Sequence, residues 1–250
     1  MNVTKRQFSP GVVEKVDAIR QEMVSRYEMP LERTTHVHLQ CEKILSTQQK
    51  PGVVVQCGVW KGASLFAAAL FCQNEKIQKQ IFGFDTFTGF PNKQIDPHDH
   101  PSYFKTLLDS NLITKEHYEK AAIRTKNFTD LAHLTNEHFL DIGEVFDRVA
   151  EFENIKLIKG TFAETLPHFQ EPIAVLYIDC DIYQGYKEIL NNLYDLVVDE
   201  GAIVFDEYYS LKYPGARAAV NDFFQDKKGH FEVYTTDDRF ERWCFIKSSK

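Results

Sequence analysis

Two hydrophobic periods divide the chain. VVEKVDAIRQEMVSRYEM (12–29) spaces its apolar residues at helical intervals and predicts a helix ended by Pro30. A second helix is predicted from about Thr35 to Leu45, with 48–52 as the following turn. VVVQC (53–57) breaks that period. It is a solid apolar run of mostly β-branched residues, as in a strand covered on both faces. GVWKGASLFAAALFCQNEK then reads as turn and helix, and IFGFD (81–85) as a second strand. Further strands are predicted at NIKLIKG (154–160), AVLYID (174–179) and AIVFD (202–206), with helices at YQGYKEILNNLYDLV and PGARAAVNDFFQDK. HFEVYTT and RWCFIKS, joined through DDRFE, close the chain as an antiparallel hairpin. Residues 86–104 read as a loop rich in Pro, Asp and His, and 115–149 as mostly helical. The alternation predicts an α/β fold with an open, doubly wound, mostly parallel sheet.

Length and composition narrow this little. The 250 residues suit one globular domain: an N-terminal helical extension (1–50) ahead of a sheet domain (51–250) that carries a variable insert at about 92–150. A net charge of -7 argues against a nucleic-acid partner, since phosphate contacts need clustered Lys and Arg. No apolar run reaches the roughly 18 residues that span a bilayer, and the N-terminus lacks a signal-peptide pattern. The expectation is a cytoplasmic protein without a membrane partner. Its five cysteines are scattered, with no CxxC, and read as buried thiols. GxxxxGK[ST] and GxSxG are absent, which leaves a P-loop and a hydrolase triad without an anchor.

Chemistry gathers at the strand ends, where open α/β sheets bind ligands. After the first strand, Gly58 and Gly62 allow a tight turn and close backbone approach, and the helix starting near Ser64 offers unpaired N–H groups. Asp85 can accept ribose hydroxyls or cap the TFTGF turn. Lys159 and Gly160 can flank a flat base. Asp179 and Asp206 end neighbouring strands, where two carboxylates repel unless a cation or proton mediates. Such an all-oxygen set suits a hard ion such as magnesium. Asp181 and Glu207 supply a further ligand or a general base. His98 and His100 read as exposed loop histidines that can touch substrate from a lid. One of His36 and His38 can face the cleft; they do not share a helix face.

With those residues in place, the chain resembles the macrocin O-methyltransferase family, S-adenosylmethionine-dependent enzymes that methylate sugar hydroxyls in natural-product glycosides. The likeness lies in QCGVWKGAS (56–64), FGFDTFTGFP (82–91), IKLIKGTFAETLP (155–167), LYIDCDIYQGYKEILNNLYDLV (176–197) and GAIVFDEYYSLKYPGARAAVNDFF (201–224). It implies a Rossmann-like class I methyltransferase sheet of seven strands. The cofactor's methionine end would lie over Cys57, Gly58, Val59, Trp60 and Gly62, beside Gln56 and Ser64. Its ribose would meet Asp85 and Thr86, and its adenine Gly160, Thr161 and Phe162, with Asp179 close to the cofactor. The resemblance further implies magnesium on Asp179, Asp206 and Glu207, with Asp181 as the base. His98, His100, Tyr103 and Tyr208 are candidate substrate-lining residues for a small, sugar-containing acceptor.

Two residues depart from the family pattern. Gln56 stands where the family usually has Glu, and Glu207 where it has Asp. Catechol-type methyltransferases carry a lysine where this chain has Ile182, which shifts the burden to Asp181. Two rival readings are a nicotinamide oxidoreductase, which would need a fuller GxGxxG and a proton donor, and a non-catalytic partner protein, which would have no use for crowded acids. Self-association is left open.

Overall fold

In chain order the strands are β1 (Val3–Arg6), β2 (Val53–Cys57), β3 (Ile81–Asp85), β4 (Ile155–Lys159), β5 (Ile173–Ile178), β6 (Val197–Phe205), β7 (Gly229–Thr235) and β8 (Glu241–Lys247). The computed structural model describes residues 2–28, 35–91, 96–127, 142–235 and 240–249. All eight strands form one sheet in the order β1-β7-β8-β6-β5-β2-β3-β4, parallel except where β8 runs against β6 and β7. This is the expected open sheet with its closing hairpin. Pro30, residues 128–141 of the predicted helical stretch and residues 236–239 of the hairpin connection lie outside the described residues, as do 92–95.

Helices cover both faces, which is why the central strands can be apolar throughout. The period of two sends Val175 and Tyr177 to one face and Leu176 and Ile178 to the other. On the first face lie α1 (Pro10–Tyr27), α2 (Thr35–Ser46) and α3 (Ala63–Asn74), which bury Val16, Ile19, Leu39, Ile44 and Phe71 against the sheet. Among the described residues, three shorter helices, α4 (Tyr103–Asp109), α5 (Lys115–Arg124) and α6 (Ile142–Val149), fall between β3 and β4. The second face carries α7 (Phe162–Thr165), α8 (Tyr183–Leu193) and α9 (Pro214–Phe223), with Tyr186, Ile189 and Val220 packed on Phe84, Ile203 and Phe205. Helix α1 starts at a proline, as first turns tolerate, and ends one turn short of Pro30: Glu28 turns left-handed (φ +50) and returns its N–H to Met23 O. No described helix is long and apolar enough to cross a membrane.

Two elements differ from the sequence expectation. VTKR has no strand-like apolar pattern, yet it forms β1, an eighth strand paired in parallel with β7 at the sheet edge. Charge secures it. Arg6 Nε donates to Glu232 Oε1 at 2.9 Å, and Lys43 of α2 bonds Glu232 Oε2 and, at 2.9 Å, Tyr234 Oη. Lys43 and Glu232 are almost fully buried, with side chains 6% and 5% exposed. Within the expected loop, Pro97–Asp99 forms a 3-10 turn closed by a capping box between Asp96 and Asp99, and α4 follows.

Strand register sets up the site. Cys57 pairs with Ile178, and Ile178 with Phe205, so Gly58, Asp179 and Asp206 stand side by side one residue past their strands. Their amides extend the ladder: Asp179 N–H donates to Cys57 O and Asp206 N–H to Ile178 O, each at 2.9 Å. Gly58 (φ +91) is required here. A Cβ on it would lie 1.7 Å from Asp179 O.

Candidate active site

Oxygens of Asp179, Asp206 and Glu207 approach within 4.8 Å of one another. Asp179 and Asp206 are half-buried and Glu207 is buried. Tyrosines and an arginine fix two of the three acids. Asp206 Oδ1 accepts from Tyr177 Oη and from Arg242 Nη1, both at 3.1 Å. Glu207 Oε2 accepts from Tyr186 Oη at 2.7 Å and faces the Asp181 N–H at 3.4 Å. Burial, then the charges of Asp206 and Asp181, push the Asp179 carboxyl far above its ordinary range. Burial, then the three aspartates, does the same to Glu207. Burial would also raise Asp206, but Arg242 and His36 of α2 hold it below the usual value. The cluster is therefore short of positive charge, and a cation or proton would relieve it.

Asp181 stands beside this set in the left-handed region (φ +62). Burial and the Asp206 charge raise its carboxyl to about 7, against the pull of Lys212 and Tyr213.

The glycine loop is held from below. Asp85 Oδ2 accepts the N–H groups of Val59 (2.7 Å) and Trp60 (2.8 Å), and Oδ1 accepts that of Phe87 (2.7 Å). Trp60 (φ +46) and Phe87 (φ +54) are both left-handed, so one carboxylate fastens the loops after β2 and β3. Thr86 closes the second loop onto Gly89 O at 2.7 Å. Gln56 is fully buried. Its Nε2 donates to Gly58 O and Ser64 Oγ, each at 2.8 Å, and its Oε1 accepts from Gln40 Nε2 at 3.4 Å. Gln56 and Ser64 thus support the loop from inside. Cys57 and Val59 are buried, whereas Trp60 is 56% exposed at the rim. After β4, Gly160 (φ +150) donates its N–H to Asp85 O at 3.0 Å, and Thr161 caps α7, which begins with Phe162.

The candidate substrate residues separate. His98 is stacked on Tyr183 (centroids 4.2 Å apart), meets Tyr103 edge-on and bonds Asp96. His100 Nδ1 pairs with Ser102 Oγ at 2.8 Å. Neither joins the acid cluster. Tyr208 turns into the core: it is 3% exposed, packs on Phe205, Phe231 and Trp243, and its Oη donates to Asn221 Oδ1 at 3.1 Å. Of the two N-terminal histidines, His36 acts on Asp206, while His38 is buried against Phe8.

Sequence reading missed Tyr177, Tyr186, Arg242, Lys212 and Tyr213. Tyr177 had a signal, since it lies two residues before Asp179 and so on the same face of the strand. Arg242 had none, because only the β6–β8 register brings it to Asp206.

A family model described as Macrocin-O-methyltransferase (TylF) matches residues 23–141 and 114–243. Over 191 residues, 76% of its length, the chain is 26% identical to a mycinamicin III 3''-O-methyltransferase of Micromonospora griseorubida, covering 66% of that relative. Over 185 residues, 73% of its length, it is 24% identical to an 8-demethyl-8-(2,3-dimethoxy-alpha-L-rhamnosyl)-tetracenomycin-C 4'-O-methyltransferase of Streptomyces olivaceus, covering 62% of it. The chain thus spans just under two thirds of the length of these relatives. Among solved structures it shares its fold with the O-methyltransferase NovP (TM-score 0.60, 18% identity, 95% of this chain and 99% of that one). It also shares it with the calicheamicin methyltransferase CalS11 (TM-score 0.56, 20% identity, 97% and 94%).

Proposed function

The chain belongs to the macrocin O-methyltransferase family, and from that premise we propose that it transfers a methyl group from S-adenosylmethionine to a hydroxyl of a sugar or glycosylated small molecule, with magnesium as an aid. The observation that carries this reading is the meeting of Asp179, Asp206 and Glu207 within 4.8 Å, next to the glycine loop. Relatives named for O-methyl transfer at 3'' and 4' positions support a sugar hydroxyl as the acceptor.

The donor set fits a hard cation. Asp206 keeps Oδ2, and Glu207 keeps Oε1, outside the tyrosine and arginine bonds described above. Asp179, Asp206 and Glu207 would hold the ion, which would polarise an acceptor hydroxyl and ease its deprotonation. The loops also fit the cofactor, because among the described residues Asp85 Oδ1 has a single N–H donor and so a lone pair for a ribose hydroxyl. Cys57 to Gly62 would carry the methionine end, Asp85 and Thr86 the ribose, and Gly160 to Phe162 the adenine. The cofactor supplies an electrophilic methyl on sulfonium. The chain's own part is placement and proton transfer: Asp181 takes the hydroxyl proton while the fixed acids hold the acceptor in line. Gln56 acts indirectly, by setting the Gly58 carbonyl.

Titration calorimetry with S-adenosylhomocysteine, followed by mass spectrometry of methyl transfer to a rhamnoside panel with magnesium or with EDTA, tests the reading. Binding and magnesium-stimulated transfer are expected. Tight nicotinamide binding with none of S-adenosylhomocysteine would end it.

A further inference from the structure

We propose that Tyr177 and Tyr186 are selectivity residues: each holds one oxygen of the acid pair Asp206–Glu207, leaves that acid a single oxygen for a cation, and so favours magnesium over calcium. The proposal rests on the reading of Asp179, Asp206 and Glu207 as cation ligands.

The count of lone pairs carries the argument. Each oxygen of a carboxylate has about two acceptor sites. Asp206 Oδ1 fills both, with Tyr177 Oη and Arg242 Nη1 each at 3.1 Å. Glu207 Oε2 takes the Tyr186 hydroxyl at 2.7 Å and faces the Asp181 N–H at 3.4 Å. Among the described residues, no N–H or hydroxyl donor meets Asp206 Oδ2, Glu207 Oε1 or the Asp179 carboxylate. The acids thus offer a cation both oxygens of Asp179 but only one each from Asp206 and Glu207. Magnesium asks for a near-octahedral shell and keeps several waters, so this supply suits it. Calcium takes roughly six to eight oxygens and often grips a carboxylate by both. The two further oxygens it would use here are the ones already engaged.

The donors are set in the fold and do not yield easily. Tyr177 and Tyr186 are both 0% exposed. Tyr177 lies in β5, between β2 and β6, two residues before Asp179. Tyr186 sits in α8 and packs on Phe205 with ring centroids 6.5 Å apart. Its Oη also accepts the Glu207 N–H at 3.2 Å, so one phenol ties that carboxylate to its own backbone. The Arg242 side chain is 5% exposed and is brought in by the pairing of β8 with β6. A site whose ligand number is fixed in this way discriminates between the two ions by the size of the shell it allows.

The test is titration calorimetry of the full chain with magnesium chloride alone and with calcium chloride alone, on the parent, Tyr186→Phe and Tyr177→Phe. Each substitution keeps the buried ring and deletes only the hydroxyl, and the two lie on different elements. The ratio of calcium to magnesium affinity should rise about tenfold in each variant. A purely structural role would weaken both ions together and leave the ratio unmoved. A ratio within about twofold of the parent's in both variants overturns the proposal. Crystal structures with calcium form a second arm. Glu207 should touch the ion through one oxygen in the parent and through both in Tyr186→Phe; a two-oxygen grip in the parent overturns the proposal whatever the titration gives. Failure of the magnesium reading looks different: no heat with either cation in the parent removes both readings, whereas binding with an unmoved ratio removes this one alone.

Discussion

Replacing Glu232 by Gln should uncouple the N-terminal segment from the sheet, with a cost that depends on pH in a defined way. Burial alone would raise the Glu232 carboxyl, but hydrogen bonds and charge from Lys43 and Arg6 overcome it and hold the group at about 2, against an ordinary 4.5. At about 1.36 kcal/mol per pH unit, that difference corresponds to roughly 3 kcal/mol of stability at neutral pH. Lys43 provides most of it, because the Arg6 side chain is 51% exposed and its pair is screened. The folded value is depressed, so the contribution is complete above 4.5 and is lost as pH falls toward 2. Urea unfolding followed by circular dichroism at pH 7 and pH 3 reads it as the stability difference between parent and Glu232→Gln. That difference should be about 3 kcal/mol at pH 7, the size expected for breaking a buried pair. It should shrink by about 2 kcal/mol at pH 3, where the carboxylate is protonated in the unfolded parent while it stays mostly ionised in the folded one. An equal difference at the two pH values would refute the assignment of the effect to charge.

Three further outcomes can be checked directly. Gly58→Ala forces a Cβ to 1.7 Å from Asp179 O, so the strand ends must separate; S-adenosylhomocysteine binding by calorimetry should be lost, and stability should drop by about 2 kcal/mol or more in urea unfolding. Arg242→Met removes the cation at Asp206 Oδ1; magnesium affinity by titration should rise while stability in EDTA falls by about 1–3 kcal/mol, and unchanged values of both would contradict the role given to Arg242. Tyr208→Phe deletes a buried hydroxyl bonded to Asn221; it should cost about 1 kcal/mol in unfolding experiments and leave acceptor KM unaltered, as befits a core residue.

The central strands were legible in the sequence because both of their faces are covered. A run such as IAVLYI must then be apolar at every position, and its first acid marks the end of burial. The acids at 179, 181, 206 and 207 were found that way. β1 was not, since VTKR pairs through its backbone and its fastening residues, Lys43 and Glu232, lie far along the chain. Asp85 was found, and its reading as a cap of the TFTGF turn matches the Phe87 N–H bond, but the Val59 and Trp60 amides that it also holds show only in the loop geometry. Arg242 reaches Asp206 by strand register, which leaves no local pattern.

Joining three amides to Asp85 has a kinetic consequence. The left-handed conformations at Trp60 and Phe87 cost on the order of 1–3 kcal/mol each, and both residues are tethered by that one carboxylate. Neither loop can relax alone without stranding part of the other's anchorage. In hydrogen exchange, the amides of Val59, Trp60 and Phe87 should therefore share one opening event, with a common protection that collapses together in Asp85→Asn. The two ends of the cleft would breathe as a single hinged unit.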